Sequence, residues 1–351
     1  MHFRKAMFHF CAAYRNCVSS PARPLLSHPL LGRLCLVHAS SCLAAFLPWL
    51  AGAVLAQGYP NKPVTLVVPF APGGPADALS RNLAASLTRQ WKQPVVVENV
   101  GGAGGTIGGL RVARAPADGY TIMYQNLGMV LGPALVAKLE YDPVSDFDHL
   151  GVVTVSYTTL IARNGLPAAN FGEFIAHLRR SGERIMFANA GVGGISHLCG
   201  LLLAETLQTR FTMVPYKGNG PATNDLIGGR VDLMCDAAAT AAPQIRAGKV
   251  RAIGTAGPVR NRELPEVPTL PELGLKGFVL ENWNAIYAPR GLPRPVFERL
   301  TESIQASLRD PDFAGYLDKA GYTPVPPADS LPAAQERRAR AEVEQIGRAH
   351  V

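Results

Sequence analysis

The sequence predicts an α/β protein built from two similar units, and three observations carry that reading. From Pro63 onward, short β-branched runs alternate with helical patterns. Two glycine-rich loops, Phe70–Asp77 and Ala188–His197, each lead from a strand into a helix. A chain of 351 residues is long enough for two medium cores as well as for one large one.

The elements follow in order. Val64-Thr65-Leu66-Val67-Val68, bounded by prolines, reads as a buried parallel strand. Pro72-Gly73-Gly74-Pro75 is a turn, with Pro75 suited to the first helical position and Asp77 to the first turn. A helix over Ala76–Gln90 follows, with Leu79, Leu83 and Leu87 spaced four apart. Val95–Val97 is the next strand, Leu110–Ala115 a helix and Tyr120–Tyr124 a strand. The second unit repeats the theme. An extended stretch covers Val152–Ala162. Helices are predicted at Phe171–Arg180, His197–Leu207 and Pro221–Ile227. Strands are predicted at Ile185–Ala188, Phe211–Pro215, Val231–Cys235 and Val250–Thr255. A proline-rich passage then leads to Trp283–Ala288 and a helix over Pro295–Leu308. Alternating β and α of this kind gives a doubly wound sheet.

Charge narrows the function classes. The net +8 is concentrated in residues 1–56, which hold Arg4, Lys5, Arg15, Arg23 and Arg33 and no acid, so the remainder carries only +3. That is too mild for a nucleic-acid footprint. Residues 1–56 read as an export signal, with a basic stretch before the apolar run Leu43–Leu55 and small residues up to Ala56, where cleavage is expected. The run, about thirteen residues, falls short of the ~20 of a membrane span. The leader is long, which fits a start codon downstream of Met1. Cys42 precedes the apolar run, the wrong order for a lipoprotein. Four of the six cysteines lie in this leader, leaving Cys199 and Cys235. Their spacing matches no zinc motif and leaves two outcomes open, a disulfide in an oxidising compartment or two buried thiols. Residues 346–351, Ile-Gly-Arg-Ala-His-Val, can be encoded by a sequence resembling a sequencing-adapter read-through, and are set aside as a suspected artefact.

Catalytic and cofactor patterns are thin. There is no G-x-S-x-G, H-E-x-x-H or C-x-x-C. Gly101–Gly109 follows the second strand, departs from the dinucleotide spacing and has no acid about twenty residues on, so no cofactor is expected. The two loops are more informative. Glycines let backbone N–H groups approach a ligand, and a helix start adds positive potential, so Phe70–Asp77 and Ala188–His197 together can hold an anion without a basic side chain. For either loop alone, a plain tight turn explains the glycines. Ser196 and His197 are adjacent in sequence, which does not make them nucleophile and base. Asp236, at a strand end, is either a helix cap or an acceptor for a ligand amine or hydroxyl. Trp283 is either core or a cleft wall.

From about Tyr59 to about Glu344 the chain resembles the Bug family of extracytoplasmic receptors, the binding components of tripartite tricarboxylate transporters. The resemblance rests on Tyr59-Pro60-Asn61-Lys62-Pro63-Val64, Val68–Asp77, Pro94–Asn99, Gly101–Gly109 and Pro116–Thr121. It continues through Tyr141-Asp142-Pro143, Val214–Gly218, Gly228–Asp232, Val267-Pro268-Thr269 and Ala288-Pro289. It implies a type II periplasmic-binding-protein fold, two α/β lobes around a ligand cleft. Lobe 1 would comprise residues 58–158 and 280–345, and lobe 2 residues 159–279. It also implies a monomeric, non-enzymatic periplasmic receptor that presents a small carboxylated ligand to membrane permease subunits. A receptor docking on a sensor kinase is the alternative, and a periplasmic hydrolase a third. The implied ligand-binding residues are Phe70, Ala71, Pro72, Gly73, Gly74 and Asp77 in the first loop, with Asn126 near the pocket. Gly191, Gly193, Ile195, Ser196 and His197 follow in the second loop, with Asp236. Relatives commonly carry G-x-G-T-S-S-H where this chain reads Gly191–His197, so Gly194 and Ile195 replace two hydroxyls. That favours a monocarboxylate or a less polar ligand. Arg163 stands where a neutral residue is usual.

Overall fold

The structure, a computed structural model, describes residues 58–135 and 138–349. The predicted leader and its cleavage point lie outside them. Four strands make the first half of the sheet: β1 (Val64–Val68), β2 (Val95–Asn99), β3 (Thr121–Asn126) and β9 (Glu281–Pro289). β1 pairs in parallel with β2 and β3, and β3 pairs antiparallel with β9. The second half contains β5 (Met186–Asn189), β6 (Thr212–Pro215), β7 (Leu233–Ala237) and β8 (Val250–Thr255), with β5 parallel to β6 and to β7.

One long strand, β4 (Phe147–Arg163), serves both halves. Phe147–Tyr157 pairs with β9, and from Thr158 onward the strand pairs with β7 and β8 instead. The path therefore runs β2-β1-β3-β9-β4-β7-β5-β6, with β8 on β4. This is the doubly wound α/β architecture that the sequence predicts, in two halves. Trp283 faces the core, fully buried, with Nε1 donating to Glu342 at 2.9 Å.

Helices cover the first half from both faces. On one side lie α1 (Pro75–Trp91), α8 (Arg294–Leu308) and α9 (Pro311–Lys319). Leu79, Leu83 and Leu87 are buried as their spacing predicts, each contributing about 1.5–3 kcal/mol. Trp91 Nε1 donates to Ser303 Oγ at 2.7 Å, fixing α1 against α8. Asp310 caps α9 and accepts from Ser86 of α1 at 2.8 Å. On the other side lie α2 (Thr106–Ala113), α3 (Gly128–Leu135) and α10 (Pro332–Ala349). α2 starts four residues earlier than the predicted Leu110. Its glycines pack where a side chain cannot: a Cβ on Gly108 would lie 2.7 Å from Pro69 Cβ. α3 and α9 are not predicted from the sequence. α3 (GMVLGPAL) has no polar face to give it a period, and α9 is short.

In the second half, α4 (Phe171–Ser181) and α5 (Ile195–Thr206) pack on one face, and α6 (Asn219–Ile227) and α7 (Ala238–Arg246) on the other. Strand alternation sorts the core: Phe187, Leu233 and Cys235 meet α4 and α5, while Ala188 and Met234 meet α6 and α7. Cys199 of α5 and Cys235 of β7 form a disulfide with a Cα–Cα distance of 6.3 Å, which decides between the two open outcomes.

The two halves touch through backbone. Ala71 N–H donates to Lys217 O across the seam at 2.8 Å. A Cβ on Gly104 would lie 1.9 Å from Val192 O, and one on Gly220 would lie 2.8 Å from Pro72 O.

Two outcomes follow from this packing. Replacing both Cys199 and Cys235 by Ala should lower unfolding free energy by ~2–4 kcal/mol, and urea titration of wild type under reducing conditions should match it. Equal midpoints for oxidised wild type and variant would show that the bond adds nothing. The Gly220→Ala substitution should wedge the seam apart without disturbing either half. Hydrogen exchange of the Ala71 amide should rise at least about tenfold at an unchanged melting temperature, as a local opening does.

Candidate functional site

Four helices of the fold start at one place. Strand β1 in one half, and β5, β6 and β7 in the other, are each followed directly by a helix, and these helices bring their N-termini to one crevice outside the carboxyl ends of the strands, where open α/β folds collect ligands. The cavity there, about 40 Å³ of water-accessible space, lies between the two halves of the sheet. Gly74, Pro75 and Ala76 bring the start of α1 to it, Ile195 the start of α5, Asn219 the start of α6, and Ala237 the residue capping α7. The first-turn N–H groups of a helix have no partner within it and sum to roughly +0.5 charge per helix. None of the residues lining this cavity is Lys or Arg.

The rest of the lining is apolar or amide and hydroxyl: Phe70, Tyr124, Asn126, Ser156, Thr158, Ala190, Asn282, Asn284 and Tyr322. Asn126 uses Oδ1 to accept from Gly128 N–H at 2.9 Å, which leaves its amino end uncommitted. Asn284 accepts from Tyr124 OH and donates to Thr154 O at 3.5 Å. Thr158 sits beside the disulfide, 3.8 Å from Cys199 Sγ.

Of the residues singled out from sequence, Phe70, Gly74, Asn126 and Ile195 line the cavity. The others stand one step back and shape it. Asp77 turns away, accepting from Gly73 N–H at 3.1 Å and Asn99 Nδ2 at 3.0 Å and pairing with Arg81 at 2.9 Å. Burial alone would raise its carboxyl, but the hydrogen bonds from Arg81, Gly73 and Asn99 outweigh that and hold it below the usual range. Ala71 and Pro72 belong to the seam. Gly191 N–H is held by Asn189 Oδ1 at 3.0 Å, and Ser196 Oγ accepts from Ala190 N–H at 2.8 Å, so both fix the second loop. Gly193 N–H reaches His197 Nδ1 at 3.5 Å, and burial lowers the pKa of that imidazole, which suits the accepting, neutral ring.

Asp236 is fully buried on β7 and accepts from Asn219 Nδ2 at 2.6 Å and Ala237 N–H at 2.9 Å. Burial pushes its carboxyl up, opposed by hydrogen bonds from Thr240, Asn219, Ala237 and Thr223. It is not the cap of α7, which is Ala237. Arg163 pairs with Asp232 at 2.7 Å at the far end of β4 and is not among the lining residues. Sequence reasoning missed Asn219, Asn282, Asn284, Ser156 and Thr158. A signal existed for one pair: Asn282 and Asn284 flank Trp283 on a strand, so both must face away from the core that Trp283 enters.

The family model for tripartite tricarboxylate transporter family receptors matches residues 79–346. Solved structures share the fold at good identity. The periplasmic binding protein BugD is 41% identical with a TM-score of 0.80, over 83% of this chain and 97% of that one. MatC of Rhodopseudomonas palustris, solved with bound malate, is 36% identical with a TM-score of 0.79, over 82% and 98%. A further R. palustris protein, solved with adipate, is 31% identical with a TM-score of 0.77, over 83% and 97%. The two-lobe periplasmic-binding-protein architecture is therefore that of the chain as well. Helix starts converging on a cavity between two halves of one sheet, in a sequence that fits the family model along three quarters of its length, leave one assignment: this chain belongs to the tripartite tricarboxylate transporter receptor family.

Proposed function

We propose that this protein is a periplasmic receptor that captures a small carboxylated ligand between its two lobes and presents it, as a monomer without a catalytic step, to the membrane subunits of a tripartite transporter. The observation that carries the reading is the convergence of helix starts from both halves on one cavity with no basic side chain in its lining. The starts of α1 and α5 come from opposite halves, so a carboxylate held by both ties the lobes together. Ligand binding would then draw an open–closed equilibrium toward the closed form by the difference in affinity between the two states. The malate and adipate bound by the two R. palustris relatives support a carboxylate as cargo. Residues 58–158 with 280–345, and 159–279, are the two lobes on this reading. The partner change at Thr158 of β4 supports the first boundary. Export with cleavage near Ala56 delivers the chain to the compartment where the Cys199–Cys235 bond persists.

The test is a thermal-shift screen of the purified protein against a carboxylic-acid library. An acid at a hundred times its Kd should add about 2.7 kcal/mol of stability, several degrees in melting temperature. The Asp77→Asn variant loosens the first loop by weakening its grip on Gly73 and should reduce the affinity for that acid by tenfold or more. Cooperative melting with no shift from any acid would refute the carboxylate reading.

A further inference from the structure

The four helix starts do not all remain available to a ligand. Those of α6 and α7 already face a carboxylate, because Asp236 lies at the end of β7 and accepts from Ala237 N–H and from the side chain of Asn219, the first residue of α6. The starts of α1 and α5 are left for the ligand's own carboxylate. The starts of α6 and α7 are therefore already engaged, and the lining beside them offers a ligand acceptors.

Two acceptors are set there. Asn219 Oδ1 is buried without a partner, and so is Asn282 Oδ1, and both residues line the cavity. The orientation of Asn219 is dictated by its neighbour. Asp236 Oδ1 already accepts from Ala237 N–H and so faces Asn219 as an acceptor, which turns the amide's amino group to it, at 2.6 Å, and its carbonyl oxygen the other way. Asn282 is held more loosely, its amino group 3.4 Å from Ser156 Oγ. A buried carbonyl left without a donor costs stability, and a ligand bearing an N–H or O–H would relieve that cost.

We infer that Asn219, turned by Asp236, selects ligands that carry a hydrogen-bond donor beyond the carboxylate, a hydroxyl or an amine, over those that offer only an acceptor there. Asp236 acts as a positioning residue that sets the polarity of Asn219 and does not itself meet the ligand. The inference rests on the carboxylate reading above and specifies the other end of the same ligand.

Calorimetry with matched acids tests it. Each triad shares one carbon skeleton of three to six atoms: the plain acid, its 2-hydroxy acid and its 2-oxo acid, as in succinate, malate and oxaloacetate. In wild type, the hydroxy member of whichever triad binds should do so at least tenfold more tightly than the oxo member. In Asp236→Asn the side chain at 236 can donate as well as accept, Asn219 is free to turn, and the ratio should fall to about threefold or less. Asn219→Ala should flatten it likewise, and circular dichroism melting shows whether each variant is folded. A purely structural role would weaken all three acids together and leave the ratio intact. Acids that bind wild type with no preference for the hydroxy member overturn this inference alone. So does a ratio that survives in both variants. No binding by any acid overturns the carboxylate reading with it.

Discussion

The molecule depends on backbone meeting backbone across the seam. A carboxylate without a basic partner has to be held by N–H groups, and those groups are useful only where no side chain intervenes. Gly104 against Val192 and Gly220 against Pro72 are close because neither glycine has a Cβ. The same contact that closes the cavity also brings helix starts from the two halves to opposite sides of one small space. Ala71 and Lys217 record the closure as a single hydrogen bond between main chains.

Much of the fold was legible in the sequence because its elements obey strict periods. Leu79, Leu83 and Leu87 announce the buried face of α1, and the β-branched run Val64–Val68 announces a strand covered on both sides. What was not legible depended on distance in space. α3 is apolar on all sides, so it has no period to read. β4 appears as one extended stretch, and nothing in its residues says that it exchanges β9 for β7 and β8 at Thr158. The site followed the same rule. The loops at Phe70–Asp77 and Gly191–His197 were visible because glycines before a helix are local. Asn219 and Tyr322 reach the cavity from chain segments that share no motif with those loops. Asp236 was recognised, but its partner Asn219, seventeen positions away, was not, and the pair has a different meaning from the single acid.

Electrostatics in the cavity are set by dipoles and one buried acid. Asp77, although it is the acid nearest the first helix start in sequence, is buried against Arg81, Asn99 and Gly73, away from the cavity lining, and so does not compete with an incoming anion. Asp236 does the opposite and takes up the positive ends of two helices. The two aspartates thus divide the positive potential of the cavity, one by leaving it untouched and the other by neutralising part of it. The disulfide holds α5 against β7, so the helix start that lines one side and the strand that bears Asp236 are kept in one rigid piece.

The two places where the chain passes between the halves lie next to each other. Tyr157 of β4 and Glu281 of β9 are register partners, and the Tyr157 hydroxyl donates to Glu281 at 3.1 Å. Arg338 of α10 reaches Glu281 as well, and also pairs with Glu342, the acceptor of Trp283. Two adjacent strands crossing together behave as a torsion bar and not as a loose tether, since any rotation between the halves must twist both at once. The restoring torque is then set at this crossing, by side chains on the strand face opposite the one that lines the cavity, according to how firmly the last helix grips it. Affinity at the cavity and stiffness at the crossing become two separate mechanical settings, and mutation could change the second while leaving every ligand contact in place.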